Sequence, residues 1–314
     1  MTDWALWLFT RSGAPGVGDE RPSSELQYLR DVEIAEVDRI RNALQVAGEM
    51  NGQRLIGPFI GSANRVRSVI EHIREQPGVR SMDLDVQLEL GMALDEWLVS
   101  TNSFRRRTER EVRRCLGVTA GEGAEGRFQE LYDNDLDFRL VWVWRNAAQH
   151  HINPVSVTRL VGRRDSEVQT RWVFDGERAQ SFGFAWPAHV AAHMTPSLDC
   201  VALMERVVNS CNDVACQIMV DNEEALDGAA DLLWEMFAER QDDKPGGRVL
   251  ARIATGLEEV EWDWLPIRWD LPTYLMLQLE KSRVHLGLPR KRPDLDIGDG
   301  VDLNAGETPA GPSG

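Results

Sequence analysis

An arginine, an amide and a histidine stand close together between residues 145 and 150. Asn146 directly follows Arg145, and His150 comes five residues after the arginine. Histidine can accept or donate a proton near neutral pH, because its ordinary pKa is about 6.5. Arginine stays charged and presents a planar fork of N–H groups that matches phosphate oxygens. These residue types could together cleave RNA. A base would take the 2′-hydroxyl proton, an acid would protonate the leaving 5′-oxygen, and the arginine would stabilise the charge on phosphorus.

The spacing of these residues bears on how such a site would be assembled. On a helix, Asn146 and His150 are four residues apart and share one face. Arg145 and His150 are five apart, which corresponds to about 7.5 Å of rise and about 140° of rotation. A single helix therefore brings the guanidinium and the imidazole together poorly. Two copies related by a two-fold axis could place the arginine of one beside the histidine of the other, so the spacing favours a symmetric dimer.

This stretch resembles the signature of the HEPN-domain ribonucleases. The residues that carry the resemblance lie between Trp144 and Val155, and they are Arg145-Asn146, Gln149-His150-His151 and Pro154-Val155. The resemblance implies a helical bundle that dimerises through its motif helices and cuts RNA without a metal or a cofactor. It assigns phosphate binding to Arg145, a polar helper role to Asn146, and general acid or base chemistry to His150. His151 and Gln149 would support that site.

The family also implies a biological setting. Many of its members are toxins or phage-defence effectors, so an antitoxin or another regulatory protein is an expected kind of partner. Two other interpretations stay open. Arg145 and His150 could be surface residues at a helix terminus, where cations interact favourably with the helix dipole. The chain could also be a non-catalytic HEPN-like module that binds protein or RNA, with its eleven tryptophans forming a protein-binding surface.

Composition excludes several classes of protein. The 314 residues, 42% of them hydrophobic and 27% charged, are typical of a globular protein with a sizeable core. The four cysteines form no CxxC pair and no histidine stands at zinc-finger spacing, so a zinc site is not predicted. The N-terminus does not resemble a signal peptide, and no run of about eighteen apolar residues occurs. We therefore expect a cytoplasmic protein without a membrane segment.

The charge distribution has one feature that opposes RNA binding and one that favours it. A net charge of −16 repels nucleic acid globally, because phosphate contacts need lysine or arginine. One basic cluster stands out in the acidic chain: Arg105, Arg106, Arg107, Arg110, Arg113 and Arg114. It could follow an RNA backbone beside the motif helix. It could equally be a solvated helix face, since Glu109 and Glu111 are interleaved with it.

Two further patterns carry weaker signals. His189 and His193 are four residues apart, as in a helical zinc pair, but no third ligand stands near them. The glutamate of the metalloprotease motif is missing as well, so no metal site is predicted. The run 257–264 is acidic and aromatic. It could contact a basic partner or mimic nucleic acid, or it could be a loop anchored on the core by its tryptophans.

The periodicity of the apolar residues predicts a mainly helical fold. Helices are expected over 25–49, 58–76, 81–116, 127–151, 197–220, 223–240 and 272–288. The first half of the third helix also alternates as a strand would. Glycines at 121–126 predict a flexible connection between helices. A hairpin at 154–176 and a strand at 249–253 follow from runs of branched apolar residues.

These elements predict the organisation of the chain. A HEPN-like helical bundle would span residues 1–220, with the hairpin inserted into it. A C-terminal helical region would follow at 221–288. Residues 289–314 are rich in proline, glycine and charge and lack aromatic residues, so a disordered tail is predicted there.

Overall fold

The computed structural model describes most of the chain in ten segments. These are residues 4–12, 23–75, 84–148, 155–160, 169–181, 183–194, 198–238, 247–253, 262–268 and 270–296. Helices predominate within them, which confirms the predicted mainly α class. No helix in these segments is long and apolar enough to cross a membrane.

Strands and helices follow one another in groups along the chain. The elements in chain order are β1 (Trp4–Ser12), β2 (Ser23–Val32), α1 (Ile34–Glu49), α2 (Gly52–Glu75), α3 (Leu84–Leu116), α4 (Val118–Asn134), α5 (Leu136–Ala148), β3 (Val155–Leu160), β4 (Gln169–Phe174), α6 (Gly176–Ser181), α7 (Ala188–His193), β5 (Leu198–Asp199), α8 (Cys200–Asp221), α9 (Glu223–Ala238), β6 (Gly247–Ile253), β7 (Trp262–Ile267) and α10 (Asp270–His285). They fall into two compact units, one of residues 1–54 with 219–314 and the other of residues 55–218.

The first unit combines an antiparallel sheet with three helices. The four strands are ordered β2-β1-β6-β7, and α9 packs against α1 and α10. Leu6 and Leu250 of the sheet and Ile40 of α1 are fully buried. The pairing of β1 with β6 joins the N-terminal strand to the C-terminal part of the chain. For this reason residues 1–54 belong to this unit, whereas the sequence predicted a bundle running from residue 1 to 220.

The prediction of a helix over 25–49 is wrong for the first third of that range. Residues Ser23–Val32 form β2, and α1 begins only at Ile34. Leucines three residues apart suggested a helix, but Val32 pairs with Trp4 and Tyr28 with Trp7 in the neighbouring strand. Pairing with a strand distant in sequence overrides local helical spacing.

The second unit is mainly helical and contains the predicted hairpin. Helix α3 confirms the helix predicted over 81–116. It packs against both α4 and α5. Its core includes a row of aromatic rings: Phe104 stacks on Phe59 at 5.5 Å and meets Phe128 edge-on at 5.4 Å. Strands β3 and β4 confirm the hairpin, and β5 extends it into a three-stranded sheet.

The connection between α3 and α4 differs from the prediction. Residues 121–126, predicted as a flexible connection, lie inside α4. The chain reverses at Gly117, whose φ of 97° is a left-handed conformation that favours glycine. The predicted helix over 127–151 is also divided, because α4 ends before Asp135. The Asp135 carboxylate accepts the Phe138 N–H at 2.9 Å and so caps the start of α5.

The start of the predicted disordered tail is ordered. The buried carboxylate of Glu280 accepts the backbone N–H groups of Lys291 at 3.1 Å and of Arg292 at 3.0 Å. Arg292 also donates to Asp227 at 3.2 Å. Composition indicated disorder here, but these basic residues meet carboxylates of α9 and α10. Residues 297–314 lie outside the described part of the chain.

Candidate functional site

The motif predicted from the sequence begins on the last turn of α5. Arg145 is half-buried there and Asn146 is exposed. Gln149, His150 and His151 lie outside the described residues. The structure therefore places the proposed cation and its polar helper, and the predicted imidazoles remain a prediction from the sequence.

Arg145 has a polar neighbour but no acidic one within the described segments. Its Nη1 donates a hydrogen bond to Oδ1 of Asn146 at 3.1 Å. Its Nε is buried and has no hydrogen-bond partner there. A guanidinium has five N–H donors in a fixed fork, so this one has donors to offer to an anion.

Buried aromatic residues fix the rotation of α5 and so the direction of its polar face. Trp144 is 2% exposed and meets the rings of Trp97 and Phe174 edge-on, at 6.4 Å and 5.1 Å between centroids. Phe138 is fully buried two turns earlier. With these side chains packed, Arg145 is held at the edge of the core instead of within it.

The basic cluster of α3 reaches the same face of α5. The Arg105 guanidinium lies over the ring of Trp142, 5.3 Å from its centroid. Trp142 is four residues before Asn146 and therefore shares its helix face. Arg105 thus approaches the face of α5 that carries Asn146.

Most arginines of this cluster are already paired with glutamates of the chain. Arg105 bonds Glu109 at 2.7 Å, Arg110 and Arg114 both pair with Glu111, and Arg113 lies 3.6 Å from Glu125. Burial raises the pKa of the Glu111 carboxyl, but the hydrogen bonds from Arg114 and Arg110 outweigh this and leave the pKa below its ordinary value.

Arg106 and Arg107 form no ion pair within the described residues. The other four guanidiniums of the cluster each have a carboxylate neighbour. Whether the cluster binds RNA stays a prediction.

A second charged cluster, which sequence reasoning missed, lies at the opposite end of α5. The Asp137 carboxylate accepts a hydrogen bond from Nε of Arg206 at 2.5 Å and lies 3.1 Å from Nε2 of His193. Ser210 of α8 donates to Asp135 at 2.6 Å. These contacts connect α5 to α7 and α8. Among the described residues, no three or more His, Cys, Asp or Glu side chains are grouped so that they could hold a metal ion.

The Asp137 cluster predicts how stability depends on pH. Burial raises the pKa of Asp137, but hydrogen bonds from Arg206 and His193 outweigh it, so the folded-state pKa lies below the ordinary value. A depressed folded pKa means that the carboxylate contributes stability above its unfolded-state pKa of about 3.9 and loses it as the pH falls through the folded value. Replacing Asp137 by asparagine should lower the free energy of unfolding at pH 7 by about 1.5–3 kcal/mol.

Urea unfolding at pH 7 and at pH 3 measures this effect. We expect the wild-type protein and Asp137→Asn to differ clearly at pH 7 and to converge in acid. Asp133→Asn, at an exposed position of α4, is the matched control and should change stability by less than about 0.5 kcal/mol. An undiminished difference at pH 3 would show that the asparagine acts through packing instead of charge.

No family model, curated protein or solved structure matches this chain. The candidate site is therefore interpreted from its own residues.

Proposed function

We propose that this chain is a metal-independent endoribonuclease that works as a homodimer. The observation that carries the proposal is the state of Arg145. In a protein of net charge −16, this guanidinium is held at the end of α5 beside Asn146, with no carboxylate partner in the described segments and with a buried Nε that makes no hydrogen bond. A phosphate bound at this guanidinium would supply the missing negative charge.

The chemistry needs one proton acceptor, one proton donor and one cation. A histidine, assigned here to His150, removes the 2′-hydroxyl proton, and the 2′-oxygen attacks phosphorus. The bond from phosphorus to the 5′-oxygen breaks, and an acid protonates that oxygen. A 2′,3′-cyclic phosphate and a 5′-hydroxyl result. Arg145 stabilises the charge on phosphorus, and His150 of a second copy, or His151, supplies the other proton-transfer group.

The surroundings of α5 support an RNA substrate. Arg105 reaches the motif face through Trp142, and Arg107 of the same segment forms no ion pair among the described residues. Local positive charge of this kind is what an acidic protein needs to bind a phosphate backbone. A role as a toxin or phage-defence effector, with a protein regulator, is the part of the proposal that rests on the family resemblance alone.

Cleavage of total cellular RNA in the presence of EDTA tests the proposal. The wild-type protein should produce fragments that end in 2′,3′-cyclic phosphate. His150→Ala and Arg145→Ala should each lower the rate by about a hundredfold or more, because each removes a group that acts in the transition state. His189→Ala is the matched control. This histidine is exposed on α7 and belongs to no part of the proposed site, so its cleavage rate should equal that of the wild type.

The other outcomes contradict the assignment in different ways. Equal cleavage by all four proteins would place the activity at another site or in a contaminant. RNA binding without cleavage by any of them would favour a non-catalytic binding module. A tryptophan-lined docking surface is disfavoured, since no tryptophan whose burial is described is exposed.

A further inference from the structure

Helix α3 exposes one continuous stripe along its length. The exposed residues recur every seven positions, and they are Asp85, Met92, Val99, Arg106 and Arg113. Residues seven apart lie on nearly the same side of a helix, with a drift of about 20° per repeat. Three large apolar side chains belong to this face: Leu88 is 54% exposed, Met92 65% and Val99 54%. Exposed apolar side chains that share one helix face are typical of protein–protein contact surfaces.

Charge is segregated along this face. The exposed acidic side chains all precede Val99, and they are Asp85, Glu89, Asp95 and Glu96. The exposed basic side chains all follow it, and they are Arg106, Arg110, Arg113 and Arg114. Val99 lies midway between Met92 and Arg106, and also midway between Asp85 and Arg113. The face is therefore complementary to the same face of a second copy that is related to it by a two-fold axis perpendicular to the helix.

Ion pairs within one chain leave much of this charge available. Arg65 pairs with Glu96 at 2.9 Å, but both side chains are at least half exposed. Exposed pairs of this kind contribute little free energy. Arg110 pairs with Glu111, whose side chain is only 9% exposed, but the Arg110 side chain itself is 71% exposed. Asp85, Glu89 and Arg106 form no ion pair in the described part of the chain.

We propose that this face of α3 is a homodimer interface, in which two copies of the helix pack antiparallel with the two-fold axis near Val99. The two Val99 side chains then meet at the axis. Met92 packs against the aliphatic stem of Arg106 of the partner subunit, and Asp85 faces the partner's Arg113. A parallel arrangement would place acid against acid and base against base, and it would align the two helix dipoles unfavourably.

A second copy fits this surface better than RNA does. A nucleic acid would bind the basic half but would be repelled by the four acidic side chains of the other half. A self-complementary surface has its acidic, apolar and basic parts in the order that a two-fold rotation requires. The interface does not depend on the nuclease proposal.

Charge reversal on each half of the stripe tests the proposal. One variant replaces basic residues by acidic ones, Arg106→Glu with Arg113→Glu, and the other replaces acidic residues by basic ones, Asp85→Lys with Glu89→Lys. The dimer dissociation constant, measured by analytical ultracentrifugation at physiological salt, should rise at least about tenfold for each variant alone. An equimolar mixture of the two should form a heterodimer about as tight as the wild type, because both charged contacts are restored. The wild-type dimer should also weaken as salt is added.

The matched control carries the same charge change elsewhere. Arg39→Glu with Arg54→Glu alters two exposed arginines of the first unit, and it should leave the dissociation constant unchanged. Circular dichroism checks that each variant keeps its helix content. A wild-type protein that is monomeric at its highest soluble concentration would overturn the proposal. So would a dimer insensitive to both variants, or a mixture that fails to pair. RNA cleavage is not part of the readout, so loss of the nuclease proposal would leave this test intact.

Discussion

Replacing Glu223 by alanine should lower the free energy of unfolding by about 3–5 kcal/mol. Glu223 begins α9, and its carboxylate accepts a hydrogen bond from Nη1 of Arg283 at 2.6 Å. Both side chains are only 11% exposed. The alanine variant leaves the Arg283 guanidinium buried with the Pro289 carbonyl, 2.8 Å from its Nε, as its remaining described acceptor. A buried charge without its partner is among the costliest single defects in a folded protein.

An exposed ion pair gives the control for this prediction. Glu130 pairs with Arg127 at 3.1 Å, but its side chain is 63% exposed. Glu130→Ala removes the same atoms from a helix and should cost less than about 1 kcal/mol. Urea unfolding followed by circular dichroism measures both variants. A second test is Glu223→Ala combined with Arg283→Met, which should cost less than the sum of the two single changes. Equal, small losses at Glu223 and Glu130 would contradict the burial argument.

The same pair explains why the predicted tail is ordered up to residue 296. Lys291 also pairs with Glu223, and Arg292 donates to Asp231 at 3.2 Å while lying over the Trp234 ring at 4.9 Å. Lys291 and Arg292 thus meet an acidic face of α9. A composition rule scores each segment by itself. It has no means of detecting a complementary face about sixty residues away in the sequence.

Regular periodicity made the long helices predictable. Helices α3, α8, α9 and α10 match their predicted ranges to within a few residues, because a stripe of buried side chains at helical spacing is a local property. Strand β2 was mistaken for part of a helix, because its identity depends on hydrogen bonds to β1. Strands β1 and β7 were not predicted as strands for the same reason.

In the candidate site, too, the local features could be predicted from the sequence and the features that depend on distant contacts could not. Arg145 and Asn146 could be predicted because their spacing lies within one helix. The Asp137 cluster could not, since His193 and Arg206 belong to α7 and α8 and reach α5 only through the fold. Asp137 itself offered a weak signal as an acidic residue in the first turn of a helix, which the helix dipole favours.

Glycine substitutions in α4 should change stability in opposite directions. At Gly121 an added Cβ would lie 2.6 Å from Cβ and 3.0 Å from Cα of Arg113. Because the Arg113 backbone belongs to α3, the two helices would have to separate, at a cost of about 1–3 kcal/mol. At Gly123 an added Cβ would have no neighbour within 4 Å. Alanine there should raise the free energy of unfolding by about 0.5–1 kcal/mol, because glycine inside a helix is unfavourable.

Because Gly121→Ala should lower stability and Gly123→Ala should raise it, the two substitutions test the fold of this segment as well as its packing. If residues 121–126 formed the flexible connection predicted from composition, neither alanine would meet α3, and neither would gain from helix propensity. Urea unfolding of Gly121→Ala and Gly123→Ala therefore separates the two descriptions, with Gly126→Ala, which also has open space around its Cβ, as a second stabilising control. A stabilised Gly121→Ala variant would show that α3 and α4 do not approach as closely as the structure has them. Unchanged stability in all three would show that this segment is not helical.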